Sequence, residues 1–495
     1  MVAYCDMSRT PYHVVIVGAG FSGLAMAIRL KSAGERDFVV IEEADDVGGT
    51  WRENTYPGCA CDIPSYLYSY SFEPNPRWTR HYPQQQEIWD YLRRCARKYG
   101  ITPHIRFGTR MAAAEFDEDA GLWRLRCTTG GREETVTARA VVAAMGPLHL
   151  PNVPDLPGLD RFAGRHFHSA NWDHDHDLTG KRVAVVGTGA SAIQFVPWVA
   201  DRARHVTVFQ RTPPWIVPKS DHGIGRLEHL AYRLVPPLQR LRRAVIYWLH
   251  ELRVLGMVFN PDLMRVAETV ATRHLHRSIS DPRLRQQLTP DYRIGCKRVL
   301  LSNDYYPTLT RPHVELVTEK VTEVREHAVV TADGTEHEVD TIIFGTGFHV
   351  VEALGSHPIT GVGGQTLRDA WRGGVEAYYG ISVAGFPNLF LMVGPNTGLG
   401  HNSIVFMIEA QVRYVARCLR LLRRHPRSRL AVRPGVQRAF NDRLQAKLRG
   451  TVWDSGCRSW YLDAAGKNRT IWPGFTFSYW WRTRRPRLAD YEVSG

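Results

Sequence analysis

The sequence has no long hydrophobic run. No segment of its 495 residues approaches the roughly 18 uninterrupted apolar residues that a membrane-spanning helix needs. The N-terminal stretch MVAYCDMSRTPYH has no basic run followed by an apolar one, which a secretory signal would require. We therefore expect a cytoplasmic protein without an integral membrane segment.

Cysteine is scarce and irregularly spaced. The eight cysteines follow no framework, and Cys59 and Cys61 lack the two-residue gap that zinc or redox pairs usually have. We expect reduced thiols and no metal site.

Acidic residues are fewer than basic residues. Asp and Glu number 49 against 63 Lys and Arg, which gives a formal net charge of +14. The basic residues are dispersed and no nucleic-acid-binding motif accompanies them, so no nucleic-acid partner is expected. A basic surface also suits an anionic cofactor.

The first glycine-rich loop follows a short β-branched stretch at residues 13–17. Gly18, Gly20 and Gly23 form G-x-G-x-x-G between a predicted strand and helix, and Glu42 ends the next predicted strand. The glycines permit a tight turn, close approach of a pyrophosphate and close packing of the helix on the strand. Glu42 can accept hydrogen bonds from ribose hydroxyls. This context predicts a dinucleotide site.

A second glycine-rich loop contains Gly187, Gly189 and Ser191, again between a predicted strand and helix. Where an acid would favour NAD, the sequence has Arg211 and Thr212. A cation and a hydroxyl suit the 2′-phosphate of NADP, whereas an acid would repel it.

A glycine pair, Gly48–Gly49, is followed by Thr50, Trp51 and, further on, Asp62. Pyridine-nucleotide disulfide reductases carry paired cysteines in this region, and this chain has none. A relay from flavin to a disulfide therefore has no acceptor here. Asp62 taken alone could simply cap a turn.

Residues 222–290 are rich in Leu and Arg and read as a helical insertion. LQRLRRAVIYWLHELRVLGMVF has the pattern of a long amphipathic helix. It could dock on a membrane or line a hydrophobic substrate entrance, although such a stripe is more often core. The chain after it holds the cation pair Lys297–Arg298, and a later predicted helix start near Asn402 is a candidate contact of an anion or a flavin ring.

The stretch FAGRHFHSANWD lies between the two glycine loops. Taken alone it predicts a capped turn with Trp172 packed and His168 hydrogen-bonded. It also matches F-x-G-x-x-x-H-x-x-x-W-(P/D) at Phe162, Gly164, His168, Trp172 and Asp173. By this match the chain resembles class B flavoprotein monooxygenases, and specifically Baeyer–Villiger monooxygenases. Related N-oxygenating enzymes usually have Phe or Tyr where this chain has Trp172.

A second pattern of that family, G-x-W-x-x-x-x-(F/Y)-P-G-x-x-x-D, is also present without a gap. Its positions are Gly49, Trp51, Tyr56, Pro57, Gly58 and Asp62. The resemblance extends from about residue 12 to residue 460.

The resemblance implies FAD at the first loop and NADPH at the second. It implies a C4a-peroxyflavin, formed with O2, that inserts one oxygen atom beside a ketone carbonyl to give an ester or lactone. Arg298 would stabilise the anionic oxygen, and Asp62 would orient Arg298. His168 would join them in the catalytic set, although its place between the modules fits domain coupling better than acid–base chemistry.

The resemblance also implies two further cofactor contacts. Lys297 would join Arg211 and Thr212 at the 2′-phosphate, and Trp453 would contact the nicotinamide. The apolar insertion favours a hydrophobic ketone. Oxygenation at nitrogen or sulfur remains the alternative activity, and a flavin-binding protein without turnover is a further one. The oligomeric state is open.

The expected fold is α/β, with two interleaved Rossmann-like dinucleotide-binding domains and a helical insertion. The FAD module comprises residues 1–150 and, with the C-terminal tail, 341–495. The NADP module comprises residues 151–221 and 291–340, interrupted by the insertion at 222–290.

Overall fold

The structure is a computed structural model that describes residues 10–350, 358–425 and 427–494. The strands are β1 Tyr12–Val17, β2 Phe38–Ile41, β3 Ile105–Arg106, β4 Thr109–Asp117, β5 Leu122–Thr129, β6 Arg132–Ala143, β7 Arg165–His168, β8 Arg182–Val186, β9 His205–Phe209, β10 Ile216–Val217, β11 Leu300–Leu301, β12 Val314–Val317, β13 Val321–Arg325, β14 Ala328–Thr331, β15 Glu336–Glu338, β16 Thr341–Phe344, β17 Ile359–Thr360, β18 Leu389–Leu391, β19 Arg429–Val432 and β20 Tyr491–Ser494.

Helices cover both sheets. They are α1 Phe21–Ser32, α2 Thr50–Glu53, α3 Gln85–Lys98, α4 Ala192–Ala200, α5 Arg226–Leu234, α6 Pro236–Glu251, α7 Met264–Ser278, α8 Pro282–Leu288, α9 Tyr305–Thr308, α10 Leu367–Ala370, α11 Ile404–Arg424, α12 Pro434–Leu448 and α13 Thr476–Arg482. None of them, in the part of the chain that is described, is long and apolar enough to cross a membrane.

The first sheet has the order β17-β4-β5-β6-β1-β2-β3, with β18 also paired to β6. β1 lies parallel to β2 and to β6, and its residues from Val14 to Ile16 are fully buried. A strand buried on both faces needs a continuous apolar sequence, which HVVIV supplies. The first glycine loop begins where β1 ends.

The second sheet has the order β12-β9-β8-β16-β7, and every pairing in it is parallel. The second glycine loop follows β8 and lies at the carboxyl ends of its strands. β16 belongs to this sheet because its buried TIIF run pairs with β7 and β8 on its two sides. The domain boundaries predicted from the sequence place residue 341 at the start of the second part of the FAD module. In the structure the chain leaves the second sheet only after Phe344.

The insertion is helical, as predicted, and consists of α5 to α8. The outer face of α6, however, is not core. Leu241, Trp248 and Leu249 are each more than half exposed. The amphipathic period was visible in the sequence, but it could not show which face meets the body of the protein.

The prediction that all cysteines are reduced is wrong for one pair. Cys296 and Cys457 form a disulfide, with Cα atoms 6.2 Å apart, within the span that such a bond requires. They are 161 positions apart, so no spacing rule could pair them. The other cysteines in the described ranges are free and buried: Cys59, Cys61, Cys95, Cys127 and Cys418.

Candidate active site

The first glycine loop is shaped by backbone contacts that a side chain would destroy. Gly18 has φ +102°, and a Cβ there would lie 2.6 Å from the Ala144 carbonyl oxygen. A Cβ on Gly23 would lie 1.8 Å from the Gly18 oxygen. The first turn of α1 has no acidic residue, and Gly20 before it offers no side-chain cap. Its N–H groups are therefore available to a pyrophosphate, which fits a dinucleotide.

Glu42 is buried at the end of β2. Its carboxylate accepts hydrogen bonds from the backbone N–H groups of Ala19 (2.6 Å) and Ala44 (2.9 Å). Burial raises its pKa, and these two donors partly oppose the increase. Glu42 thus braces the glycine loop, and each oxygen retains a lone pair for a ribose hydroxyl.

Gly49, Thr50 and Trp51 lie against the same loop. Gly49 has φ +53°, and a Cβ there would approach Gly20 Cα to 3.2 Å. Thr50 begins α2. Trp51 is buried, and its indole N–H donates to the Tyr68 hydroxyl at 3.0 Å. Gly49 therefore packs directly on the first glycine loop, with Thr50 and Trp51 next to it in the chain.

The second glycine loop repeats the construction of the first. Gly187 has φ +107°, and a Cβ there would lie 2.6 Å from the Gly345 oxygen, as Gly18 lies against Ala144. Gly189 has only the Gly345 oxygen within 4 Å of its Cβ position, at 3.8 Å. Ser191 precedes α4, and its hydroxyl caps no backbone N–H. The loop fits a second dinucleotide.

Arg211 and Lys297 form a pair of neighbouring cations beside this loop. Burial and the charge of Arg211 lower the pKa of Lys297, while Asp291 raises it. The Lys297 ammonium lies 4.6 Å from the centre of the Tyr292 ring. Arg211 is exposed and Thr212 is half-buried. Two cations held close together favour an anion such as a phosphate.

The structure brings Arg298 and Asp62 into contact. The Arg298 Nε donates to Asp62 Oδ2 at 2.9 Å, and its Nη2 donates to the same oxygen. The side chains are 34% and 28% exposed, so the pair borders open space. Asp62 raises the pKa of Arg298 well above its ordinary value, against the effect of burial. Arg298 is therefore a permanent cation in a fixed orientation.

The predicted cofactor residues Asn402 and Trp453 lie in the same corner of the molecule. Arg298 Nη1 donates weakly to the Leu399 carbonyl at 3.4 Å. One residue further along, a Cβ on Gly400 would meet the Trp453 ring at 3.2 Å. The buried Asn402 amide donates to Glu251 at 2.6 Å, which ties the loop to the insertion. The side-chain amide of Asn402 is therefore already engaged in a structural hydrogen bond.

Two residues that sequence reasoning missed lie near the Arg298–Asp62 pair. Tyr461 is buried, its pKa is raised to about 12 by burial, and it is an electrostatic neighbour of Arg298. Arg253, from the insertion, interacts electrostatically with Asp62 and Tyr82. Burial lowers its pKa. Nothing in the local sequence distinguishes Arg253 from the other arginines of the insertion.

Gln194 on α4 joins the two modules and was also missed. Its amide accepts from the Ala60 N–H at 3.2 Å and donates to the Ala60 carbonyl at 3.1 Å. The Tyr56 hydroxyl donates to Gln194 at 3.2 Å. Gly58, with φ +78°, passes so close that a Cβ would lie 2.6 Å from the Gln194 backbone oxygen. The Tyr-Pro-Gly segment is therefore a docking contact between modules.

His168 does not reach the Arg298–Asp62 pair through any contact that the described residues show. It ends β7, accepts the Ala170 N–H at Nδ1 (3.0 Å) and packs edge-on to Phe348 at 5.7 Å. Burial lowers its pKa, so the neutral ring is favoured. Its Nε2 is buried, and the Gly347 backbone partly opposes the lowering of the pKa.

The rest of the FAGRHFHSANWD stretch also has structural contacts. Trp172 packs against Phe167 and Phe195, and Asp173 pairs with Arg165 at 2.7 Å. A Cβ on Gly164 would lie 2.3 Å from the Asp340 oxygen. This stretch fixes the entry to the second sheet.

Known proteins match most of the chain. A family model described as flavin-binding monooxygenase-like matches residues 12–354. A Baeyer–Villiger monooxygenase of Streptomyces coelicolor is 48% identical over 482 residues, covering 97% of this chain and 92% of that protein. One from Pseudomonas aeruginosa is 48% identical over 483 residues, covering 97% and 91%. The chain belongs to this family of Baeyer–Villiger monooxygenases.

The architecture agrees with solved members. The complex of OTEMO with FAD and NADP superposes with a TM-score of 0.87 at 27% identity, covering 98% of this chain and all of that one. The predicted family, the flavin-dependent monooxygenase class and the two Rossmann-type modules are thus confirmed. Membership of the Baeyer–Villiger monooxygenases does not favour the N- or S-oxygenating alternative.

Proposed function

We propose that the chain uses FAD, NADPH and O2 to convert a hydrophobic ketone into an ester or lactone. The observation that carries this proposal is the Arg298–Asp62 ion pair. It joins residues from the two sides of the molecule that hold the glycine loops, and it borders open space. Chemistry that develops negative charge on oxygen needs such a fixed cation.

The binding roles follow from the two loops. The Gly18–Gly23 loop and Glu42 would hold FAD, and the Gly187–Gly189 loop with Arg211 and Lys297 would hold NADPH. Ser191 and Thr212 would add hydroxyl contacts to the second nucleotide. When bound, the two cofactors supply the electrons and the activation of O2. The chain itself supplies orientation, charge and exclusion of water.

Arg298 would act on the oxygen that becomes anionic beside the ketone carbonyl. Its raised pKa keeps it protonated at any workable pH, so it stabilises charge without moving a proton. Asp62 would hold the guanidinium in place through two hydrogen bonds to one oxygen. His168 and Gln194 would act at a distance, by fixing the modules relative to each other.

A hydrophobic ketone suits the surroundings of Arg298. The Trp453 ring and the Met257 sulfur both approach Gly400, and Tyr461 is buried nearby.

We propose the cytoplasm as the compartment. Five of the seven cysteines in the described ranges are free thiols, as expected in a reducing compartment, and the Cys296–Cys457 disulfide is the exception.

Product analysis tests the proposal. FAD-loaded protein with NADPH and a panel of hydrophobic ketones, one thioether and one tertiary amine should give esters or lactones in proportion to the NADPH consumed. Oxidation of the thioether or the amine without any ester would favour heteroatom oxygenation. NADPH consumption that gives only hydrogen peroxide, whatever the substrate, would refute both activities.

A further inference from the structure

Exposed apolar side chains are concentrated on the insertion. Fifteen of the 26 exposed large hydrophobic side chains among the described residues fall between Leu227 and Val270. A soluble protein does not normally leave so many on one segment unless the surface binds something. The insertion is therefore the part of the molecule where a binding surface is expected.

The pattern on α6 is regular. We define the insertion face by six residues: Leu238, Leu241, Val245, Trp248, Leu249 and Leu252. Their exposure ranges from 43% to 61%, and their spacing of three and four residues places them on one side of the helix. The opposite side of α6 contributes the buried residues Gln239, Ile246 and His250. The helix thus has one face in the protein and an apolar face in solvent.

Aromatic residues of the C-terminal region continue this surface. The Trp248 ring lies 5.8 Å from Phe477, and Trp480 shares a cavity wall with Tyr247. Trp481 is 59% exposed, and the Arg484 guanidinium stacks 3.9 Å from its ring centre. Tryptophan beside arginine is the composition typical of a surface that sits at a lipid–water boundary.

A concentration of positive charge lies beside the insertion face. We define the arginine cluster as Arg29, Arg413, Arg417, Arg420, Arg484 and Arg485. Arg417 donates to the Arg484 carbonyl, and the Arg413 guanidinium lies 4.4 Å from the centre of the Trp480 ring. Burial and the neighbouring arginines lower the pKa values of Arg413 and Arg417. Glu409 is the acid that opposes this at Arg413. Its carboxylate is also held by Ser71, through the backbone N–H and the hydroxyl.

A cavity of about 710 Å³ opens between the cluster and α6. Arg29, Arg240, Arg243 and Arg413 line it, together with aromatic rings that include Phe406 and Trp480. Arg243 is satisfied by the carbonyls of residues 66, 67 and 69, whereas the Nε of Arg413 has no partner among the described residues. Glu409 also lines the cavity, but the four arginines outnumber it. A cavity with this excess of cations and with apolar walls suits a phosphate group attached to a chain of methylenes.

From this arrangement we propose that the insertion face and the arginine cluster dock the enzyme on the surface of a membrane containing anionic phospholipid. The apolar side chains enter the acyl region and the arginines pair with phosphates. A second copy of the chain is the competing occupant. A two-fold contact centred on this face would bring two arginine clusters to one interface, where like charges oppose association. Binding of a hydrophobic ketone would then occur next to the phase in which such compounds dissolve.

Vesicle flotation with the full-length FAD-loaded protein tests the proposal. Vesicles of phosphatidylcholine with about 30% phosphatidylglycerol should carry the protein at about 0.1 M salt, and pure phosphatidylcholine vesicles should carry at least tenfold less. Binding should weaken at about 0.5 M salt because phosphate contacts are screened. Equal binding to both vesicle types, or none to either, would overturn the proposal.

Variants locate the contact. Trp248→Glu with Leu241→Glu should reduce binding at least tenfold, and Val362→Glu, an exposed apolar residue elsewhere, should not. Arg484→Gln with Arg485→Gln should weaken it about 25-fold, since each arginine near an anionic surface contributes roughly fivefold.

Folding and self-association serve as controls. Bound-FAD absorbance and thermal unfolding show whether each variant is folded, so a folding defect is separated from a binding defect. If sedimentation without vesicles shows a dimer that Leu241→Glu dissociates, and vesicles carry no protein, the face binds a second copy and the membrane proposal is wrong.

Discussion

Replacing Arg298 with alanine should separate electron transfer from oxygen insertion. The replacement removes a fixed cation and both hydrogen bonds that it donates to Asp62. Loss of one oriented electrostatic group at a reacting oxygen typically costs about 10²–10³ in kcat, or about 2.7–4 kcal/mol. Arg298 and Asp62 are about a third exposed, so solvent screens part of the effect and we expect about a hundredfold loss of ester formation.

The assay has two parts. Anaerobic rapid mixing with NADPH follows the loss of flavin absorbance, which should change by less than about threefold because Arg298 is not needed to deliver the hydride. Ester yield per NADPH is then measured by gas chromatography. Arg293→Ala is the matched control. Arg293 lies five residues upstream and pairs with Glu268 at 3.4 Å, and its loss should leave the ester yield unchanged.

A double-mutant cycle tests the role of Asp62. Asp62→Asn should cost about tenfold, since Arg298 remains charged but loses its anionic partner. If Asp62 acts only by holding Arg298, the double variant should be no worse than Arg298→Ala alone. Ester yield that survives Arg298→Ala at the native level would refute the assignment of this arginine.

Three other predictions concern the nucleotide site and the module contact. Arg211→Ala should raise the KM for NADPH about tenfold. This lies near the low end of the effects expected for losing a hydrogen bond to a charged group, because Arg211 is exposed. An equal rise in the KM for NADH would refute the 2′-phosphate assignment. Because its pKa is lowered, Lys297 loses its proton at a pH below the ordinary 10.5. The kcat/KM for NADPH should therefore fall as the pH rises through the pKa of Lys297, and it should not change with pH in the Lys297→Arg variant. A fall of the same size in kcat/KM for NADH would contradict this reasoning. Gly58→Ala should lower the melting temperature more than Gly34→Ala. Both glycines have positive φ, but only a Cβ on Gly58 would meet a backbone oxygen. Equal decreases in melting temperature would mean that backbone strain alone causes the effect and that the contact with Gln194 contributes nothing.

The two nucleotide loops could be predicted because their requirements are local. Gly18 and Gly187 must adopt φ above +100° beside a crossing carbonyl, and only glycine does this without strain. The Arg298–Asp62 pair was reachable only through family resemblance, since 236 positions separate the two residues. Nothing in the local sequence links them.

Other features depend on long-range packing and were mispredicted or missed. The disulfide Cys296–Cys457 requires the fold to bring two distant loops together, and a spacing rule cannot see it. Gln194 lies in an ordinary helix, AIQFVPWVA, and acquires its role only because the Ala60 backbone docks on it. The spacing of apolar residues in α6 predicts an amphipathic helix, but this spacing does not show which side of the helix faces solvent.

The measurement that tests the central claim most directly is oxygen-isotope labelling of the product. FAD-loaded protein, NADPH and a hydrophobic ketone are incubated under ¹⁸O2 in unlabelled water, and the product is analysed by mass spectrometry. The account predicts an ester or lactone with one ¹⁸O atom in the newly formed C–O–C linkage and one NADPH consumed for each. Complete consumption of NADPH with ¹⁸O only in hydrogen peroxide, and ketone recovered unchanged across the panel, would contradict it.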